Sequence, residues 1–401
     1  MKVVLVTSVP AFPTTAGNRS RIRELARALQ ELGHDLTFVI LPSELDQGDA
    51  AAHAAAYGAD HFTILSNGGP LGQRWYRIRR KLRLGWRKAL RKLGIERGHY
   101  SALDQTWYAP WQGQLAALGR DADAVIVEYV FNSRVLEAFP PRVRRLLDTH
   151  DAFGERHKPY LAQGMSFGYW LSLPLAEENR GFRRADAILA IQEEEAERFA
   201  AQLAGEGGAG TPDVAVVSHF LDIRDPISDF SAGNTAMFLA SNNPSNRQAI
   251  RSFLDNVLPL VVAEVPDFDL KLVGSICKTV EDMPNVTKMG RVDDLKDAFT
   301  AAPLSVNPML VGTGINIKLL DAMAFGVPTI STSTGLRGLP ASYRGGVVEV
   351  GDEDHRAFAD QIVRFCRDEA LRRDLGATAF AEATRWNASQ AAELSRCLAG
   401  Q

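Results

Sequence analysis

The chain is poor in the features that mark several large protein classes. Its 401 residues hold three cysteines, Cys277, Cys366 and Cys397, far apart and odd in number. That argues against a disulfide framework or a cysteine-built zinc site and suits a reducing cytosol. No apolar run approaches the roughly 18 residues of a membrane span, and the apolar opening from Met1 to Thr7 is too short for a signal segment. A formal net charge of −3 disfavours wholesale nucleic-acid binding. No histidine cluster suggests a metal, and the loop after the first strand, Ser8 to Asn18, lacks the dinucleotide fingerprint G-x-G-x-x-G.

What is present is a repeated strand-helix alternation. Lys2 to Thr7 is a β-branched run suited to a strand covered on both faces. A Pro/Gly loop, an amphipathic helix near Arg19 to Leu32 and a strand from Asp35 to Leu41 complete a βαβ unit. Further buried strands are expected at Asp123–Glu128, Arg145–Asp148, Ala185–Ile191 and Val214–Ser218. After an irregular stretch the alternation resumes at Ala236–Ala240, Leu270–Gly274, Leu304–Asn307, Pro328–Ser331 and Gly346–Val350. A chain of this length exceeds one hydrophobic core. The expected division is residues 1–218, a linker at 219–234, a second domain at 235–385, and a C-terminal helix at 386–401 packing back on the first domain. Two doubly wound α/β domains place their ligand crevices at the carboxyl ends of their strands, facing each other across a cleft.

The most informative stretch runs from Asn307 to Leu339. It reads as a strand end, a Gly-Thr-Gly loop, a helix, a short strand and a second glycine loop. A glycine loop opening onto a helix N-terminus offers unpaired N–H groups and a positive dipole end, which suits a phosphate. Lys318, in the first turn, opposes that dipole unless an anion lies between the two. Asp321 stands on a neighbouring helix face, where a carboxylate accepts hydrogen bonds from sugar hydroxyls. A surface helix with solvated charges is the plain alternative.

Lys318-Leu319-Leu320-Asp321-Ala322-Met323-Ala324-Phe325-Gly326-Val327-Pro328 resembles the "K-x-L-E-A-M-A-x-G-x-P-V" donor signature of GT-B glycosyltransferases of the family-4 type. The opening, from Val3 to His34, also resembles that family, so the likeness covers most of the chain. It implies two Rossmann-like domains, a nucleotide-sugar donor in the second and an acceptor over the first. The family's ribose-binding glutamate stands here as Asp321, and its sugar-binding glutamate falls on Thr313. By the resemblance Gly312, Thr313, Gly314, Ile315, Asn316 and Lys318 surround the diphosphate, and no cofactor or metal is needed.

The other candidates are strand-end residues. Gly17 and Asn18, in the loop after the first strand, either meet the donor or form a plain helix entry capped by Asn18. His150 resembles the family histidine that touches the donor hexose. It would orient the sugar in a retaining enzyme, whereas His150 or Asp151 would be the general base of an inverting one; Asp151 as a helix cap is the structural alternative. Glu128 and Tyr129 are placed on the acceptor side. Arg247 would add charge-assisted bonds to the diphosphate, with Asn246 read either as its neighbour there or as a helix cap. Gly290 to Leu295 resembles the loop that reads the base.

Arg74 to Arg97 holds eleven Lys/Arg against one glutamate, with Trp75, Ile78, Leu82, Trp86, Leu90 and Leu93 at near-helical spacing. A cationic amphipathic helix of this kind suits an anionic membrane surface; a helix whose apolar face packs on the domain is the alternative. The expectation is a cytoplasmic transferase, peripheral on the inner face of the membrane. It would move sugar from a nucleotide-activated donor to a glycan or lipid-linked glycan, with retention, in polysaccharide or glycoconjugate synthesis. An inverting transferase, a nucleotide-sugar epimerase and a non-catalytic nucleotide-sugar-binding module are the rivals.

Overall fold

A computed structural model describes residues 1–14, 16–42, 48–66, 69–162, 171–205, 210–292, 294–312 and 314–400, excluding the side chains of 70, 71, 73, 75–77, 79 and 80. Thr313 and Asp293 lie outside the described residues. The chain forms two units, Met1–His219 with Gln390–Gln401, and Phe220–Ser389.

The first unit holds a parallel sheet of β1 (Lys2–Thr7), β2 (Asp35–Ile40), β3 (Phe62–Ile64), β4 (Ala124–Glu128), β5 (Arg144–Asp148), β6 (Ala187–Ala190) and β7 (Asp213–Val216), in the order β3-β2-β1-β4-β5-β6-β7. Its central strands are buried from end to end: β4 has no exposed position and β1 only its first. That is why they read as unbroken apolar runs. The order reverses between β1 and β4, and the carboxyl ends of those strands are where a doubly wound sheet leaves room for a ligand. The last turns of the C-terminal helix Glu369–Ala399 belong to this unit. Gln390 Oε1 accepts from Ser218 N at 2.6 Å, and Arg396 Nη2 pairs with Asp213 at 2.8 Å.

The second unit repeats the plan with β8 (Thr235–Leu239), β9 (Asp269–Val273), β10 (Val286–Gly290), β11 (Ser305–Asn307), β12 (Thr329–Thr332) and β13 (Val347–Val350), all parallel, in the order β10-β9-β8-β11-β12-β13. Its reversal lies between β8 and β11. The loop after β8 leads into the helix Pro244–Ser252, and that after β11 into the helix Ile317–Ala324. Two asparagines tie down the neighbouring turn after β12: Asn307 Nδ2 and Asn316 Nδ2 both donate to Gly335 O, at 2.9 and 2.7 Å.

The basic segment forms the helix Gly69–Lys92, and its orientation reverses the packing alternative drawn from the sequence. Arg83 Nη1 donates to Gln105 O at 2.9 Å and Arg87 Nη2 to His99 O at 3.2 Å. A cationic edge, four residues in pitch, is thus spent on backbone carbonyls of its own unit. Ile78, Leu82 and Trp86 share another face, and Leu82 and Trp86 stay 69% and 66% exposed. The side chain of Trp75 lies outside the described ones.

Candidate active site

In the first unit, the ends of β4 and β5 carry a buried polar network. Arg21, on the helix Gly17–Glu31, reaches Asp148 with two bonds, Nε to Oδ2 at 2.9 Å and Nη2 to Oδ1 at 2.6 Å. Nη2 also donates to Val217 O at 2.7 Å. Burial alone would push the Asp148 carboxyl up, but the Arg21 guanidinium holds it below the usual range. A bidentate arginine is the arrangement that makes a fully buried carboxylate tolerable.

His150 lies two residues beyond β5, with its Nε2 in a short bond to Glu128 Oε2. Both side chains are buried. Burial pushes the Glu128 carboxyl well up, and neighbouring Asp148 pushes it the same way. Burial also lowers the His150 imidazole to about 4. Near neutral pH the imidazole is therefore uncharged. A neutral, weakly basic ring of this kind suits holding a sugar oxygen and is ill-suited to taking a proton.

Tyr129, directly after β4, and His150, two residues beyond β5, have φ of 68° and 61°. Non-glycine residues in that region cost about 1–3 kcal/mol each and persist where their surroundings fix them. Here the two rings stack at 4.0 Å, 9° apart, and Tyr129 Oη accepts from Asn18 Nδ2 at 3.0 Å. The helix cap is Ala16, so Asn18 is not the cap; it and Gly17 already lie in the first turn. Expected on the acceptor side, Glu128 instead lies wholly buried beneath His150, and Tyr129 is nearly so. Asp151 does not cap a helix; it pairs with Arg156 at 3.0 Å. Three members of this neighbourhood left little trace in the sequence. Arg21 and Asp148 are 127 residues apart. Glu195, in the first turn after β6, is pushed up to about 8 by burial and then by Asp151.

In the second unit the centre is Lys318. Its ammonium donates to Asn246 Oδ1 at 3.0 Å, touches Met309 Sδ at 3.0 Å and lies 4.7 Å from the centre of the Phe238 ring. None of these is an anion, and burial lowers the lysine to about 7. The helix Pro244–Ser252 is capped by Asn243, whose side chain accepts from Asn246 N at 2.8 Å. Asn246 is thereby free of the capping role and turns its carbonyl to Lys318. Arg247 is exposed and donates to Asn242 Oδ1 at 2.8 Å. Gly314 has φ of 77°, a backbone state that glycine adopts at no steric cost. Gly312 O accepts from Arg337 Nη1 at 2.8 Å, and Asn316 caps the helix Ile317–Ala324 through backbone alone. Ile315 and Asp321 are half-buried beside it. The two units thus assemble distinct groups: Gly17, Asn18, Tyr129, Glu128 and His150 in one, and Gly312, Asn316, Lys318 and Asp321 in the other.

Two family models match successive parts of the chain. The glycosyl transferase 4-like domain matches residues 16–208, and glycosyl transferases group 1 match residues 233–368. A relative from Klebsiella pneumoniae, described as an uncharacterized 44.6 kDa protein in the cps region, is 26% identical over 149 residues; the match takes in 34% of this chain and 38% of that protein's own length. Among solved structures, S. aureus TarM in complex with Fondaparinux, alpha-GlcNAc-glycerol and UDP superposes with a TM-score of 0.67 at 10% identity, covering 99% of this chain and 100% of its own. Sucrose-phosphate synthase from Thermosynechococcus elongatus gives 0.61 at 16% identity, with 99% and 98% covered. The pneumococcal O-GlcNAc transferase GtfA in complex with UDP and GlcNAc gives 0.60 at 8% identity, with 99% and 98% covered. Identities this low speak for the fold, which is GT-B, while the two family models name the lineage. The chain belongs to the group-1, family-4-like glycosyl transferases.

Proposed function

We propose that the protein transfers a sugar from a nucleoside-diphosphate donor to a glycan or lipid-linked glycan, with retention and without a metal. The observation that carries this reading is the Lys318 ammonium, held at a glycine loop and a helix N-terminus with no carboxylate against it among the described residues. A part-buried cation without a counter-charge is costly, and a diphosphate supplies the missing charge. Asp321, one helical turn on, is suited to ribose hydroxyls. The neutral, weakly basic imidazole of His150 is suited to a sugar oxygen, so retention, with the leaving phosphate aiding the acceptor, fits better than a base at His150. UDP-type donors are the first to try, since UDP occupies both TarM and GtfA. The cps-region relative supports a place in surface-polysaccharide synthesis.

A thermal-shift screen of nucleotides and nucleotide sugars tests the donor site. Ligand at about a hundredfold over its dissociation constant adds roughly 2.7 kcal/mol of stability. The expected result is a shift with one nucleotide family that is lost in Lys318→Ala. If no nucleotide shifts the wild type, the donor reading is wrong.

The same proposal extends to the helix Gly69–Lys92. Among the described residues, no helix is long and apolar enough to cross a membrane. An exposed apolar stripe of Ile78, Leu82 and Trp86, with Lys81 and Lys88 exposed beside it, instead suits an anionic lipid surface on which a lipid-linked acceptor is presented. Sedimentation with anionic vesicles should recover the protein at low salt and lose most of it at high salt. Trp86→Glu should abolish binding, and wild type left in the supernatant at low salt would remove the membrane from the proposal.

A further inference from the structure

We propose that Glu178 is a positioning residue: its buried carboxylate clamps the turn that presents His150. The inference rests on the role given to His150 above. Glu178, on the helix Leu175–Phe182, is wholly buried. Its Oε1 accepts from Phe153 N at 2.6 Å and from Gly154 N at 2.8 Å. Its Oε2 accepts from Gln202 Nε2 at 3.1 Å, and the same amide reaches Asn179 Oδ1 at 3.1 Å. From the other side, Arg198 Nη2 donates to Gly154 O at 2.7 Å. Two backbone bonds of 2.8 Å, Leu173 N to Phe153 O and Glu155 N to Leu173 O, close the frame. A Cβ at Gly154 would run into Glu178 Oε2, so the carboxylate sits directly against the turn.

The physical need for a clamp lies three residues earlier. His150 is held at φ of 61°, a state that loses about 1–3 kcal/mol and relaxes unless its flanks are fixed. Upstream, β5 fixes it. Downstream, the Ala152 amide reaches the Glu195 carboxyl, and the next two, of Phe153 and Gly154, both go to one oxygen of Glu178. Two successive backbone N–H groups on one buried carboxyl oxygen, at 2.6 and 2.8 Å, fix the turn where no exchanging water could. The clamp touches neither donor nor acceptor, so its loss should misplace the imidazole and leave the second unit's nucleotide site untouched. A catalytic group displaced by about 1 Å loses on the order of a hundredfold in rate.

The test compares Glu178→Ala with Glu178→Gln, whose amide oxygen still accepts both N–H groups. We expect Glu178→Ala to lose about 30-fold or more in kcat, with donor KM and the nucleotide thermal shift unchanged and Glu178→Gln close to wild type. Histidine-labelled NMR, with the His150 signal identified by its loss in His150→Gln, should show a ring that does not titrate between pH 7.5 and 5 in wild type and in Glu178→Gln. In Glu178→Ala it should titrate. A Glu178→Ala protein with wild-type kcat and an unmoved His150 signal would overturn the proposal. Equal losses in the alanine and glutamine variants would do the same. Should Glu178→Ala not fold, Arg198→Leu releases the same turn from Gly154 O, and an unmoved His150 ring there counts against the clamp. If wild type transfers no sugar, the proposed function fails, and the ring titration still decides the clamp.

Discussion

Arg21→Met is expected to lose about 3–5 kcal/mol of unfolding free energy, because it leaves Asp148 as a buried charge without its partner. The stability of small domains is itself only about 5–15 kcal/mol, so the first unit should unfold at markedly lower urea. The cause is an uncompensated charge and not a lost contact. The double variant Arg21→Met, Asp148→Leu should therefore recover most of the loss, since removing both charges together is often close to neutral. Urea unfolding of the three proteins makes the cycle. A single-variant loss below about 1 kcal/mol would mean that water already reaches Asp148, and the buried network would have to be redrawn.

The second large effect concerns pH and Lys318. Its folded value is about 7 against 10.5 when unperturbed, so between those limits the unfolded chain binds more protons than the folded one. Stability of the ligand-free protein from this group is therefore fully present above 10.5 and is lost as pH falls through about 7. Donor binding runs the opposite way, because the diphosphate needs the charged ammonium. With about half the lysines charged at pH 7 and a few per cent at pH 8.5, apparent donor affinity should fall about tenfold over that interval. Calorimetry in buffers of different ionisation enthalpy should register uptake of roughly half a proton at pH 7. A nucleotide sugar is the right probe, since its esterified diphosphate does not itself titrate there. Lys318→Met should show neither proton uptake nor the slope, and its ligand-free form should be more stable at pH 7 than wild type. Donor affinity that is flat from pH 7 to 8.5 would remove Lys318 from the diphosphate.

Strands buried on both faces were the legible part of the fold, because nothing in them needs to be polar: β1 and β4 are near-continuous apolar runs. The two strands that went unread, β3 and β10, each lie at one edge of their sheet. β3 is three residues long and half-buried, and β10 carries the polar pair Thr287 and Lys288. With one side open to water, their composition is that of a loop. In the site, Lys318 could be singled out because its charge contradicts a local rule, the sign of the helix dipole. Its want of a carboxylate could not, since that depends on what Met309, Phe238 and Asn246 bring from three other elements. Arg21 and Glu178 were hidden for a related reason. Each sits in a charge-rich helical stretch that reads as a solvated face, and each finds its partner only through the sheet. Glu128 was placed at the right strand end, but its burial against the histidine could not be read there.

The lone ammonium of Lys318 also bears on how a catalytic cycle would end. On the proposed reading, the donor enters as an esterified diphosphate with two negative charges and leaves as a free nucleoside diphosphate approaching three. The site that attracts the first holds the second more firmly, because its only selection there is for charge. Sugar transfer would then leave the enzyme most tightly occupied after the chemistry is over. The clock of turnover would be the departure of the spent nucleotide, and the cell's own pool of that nucleotide would act as a brake.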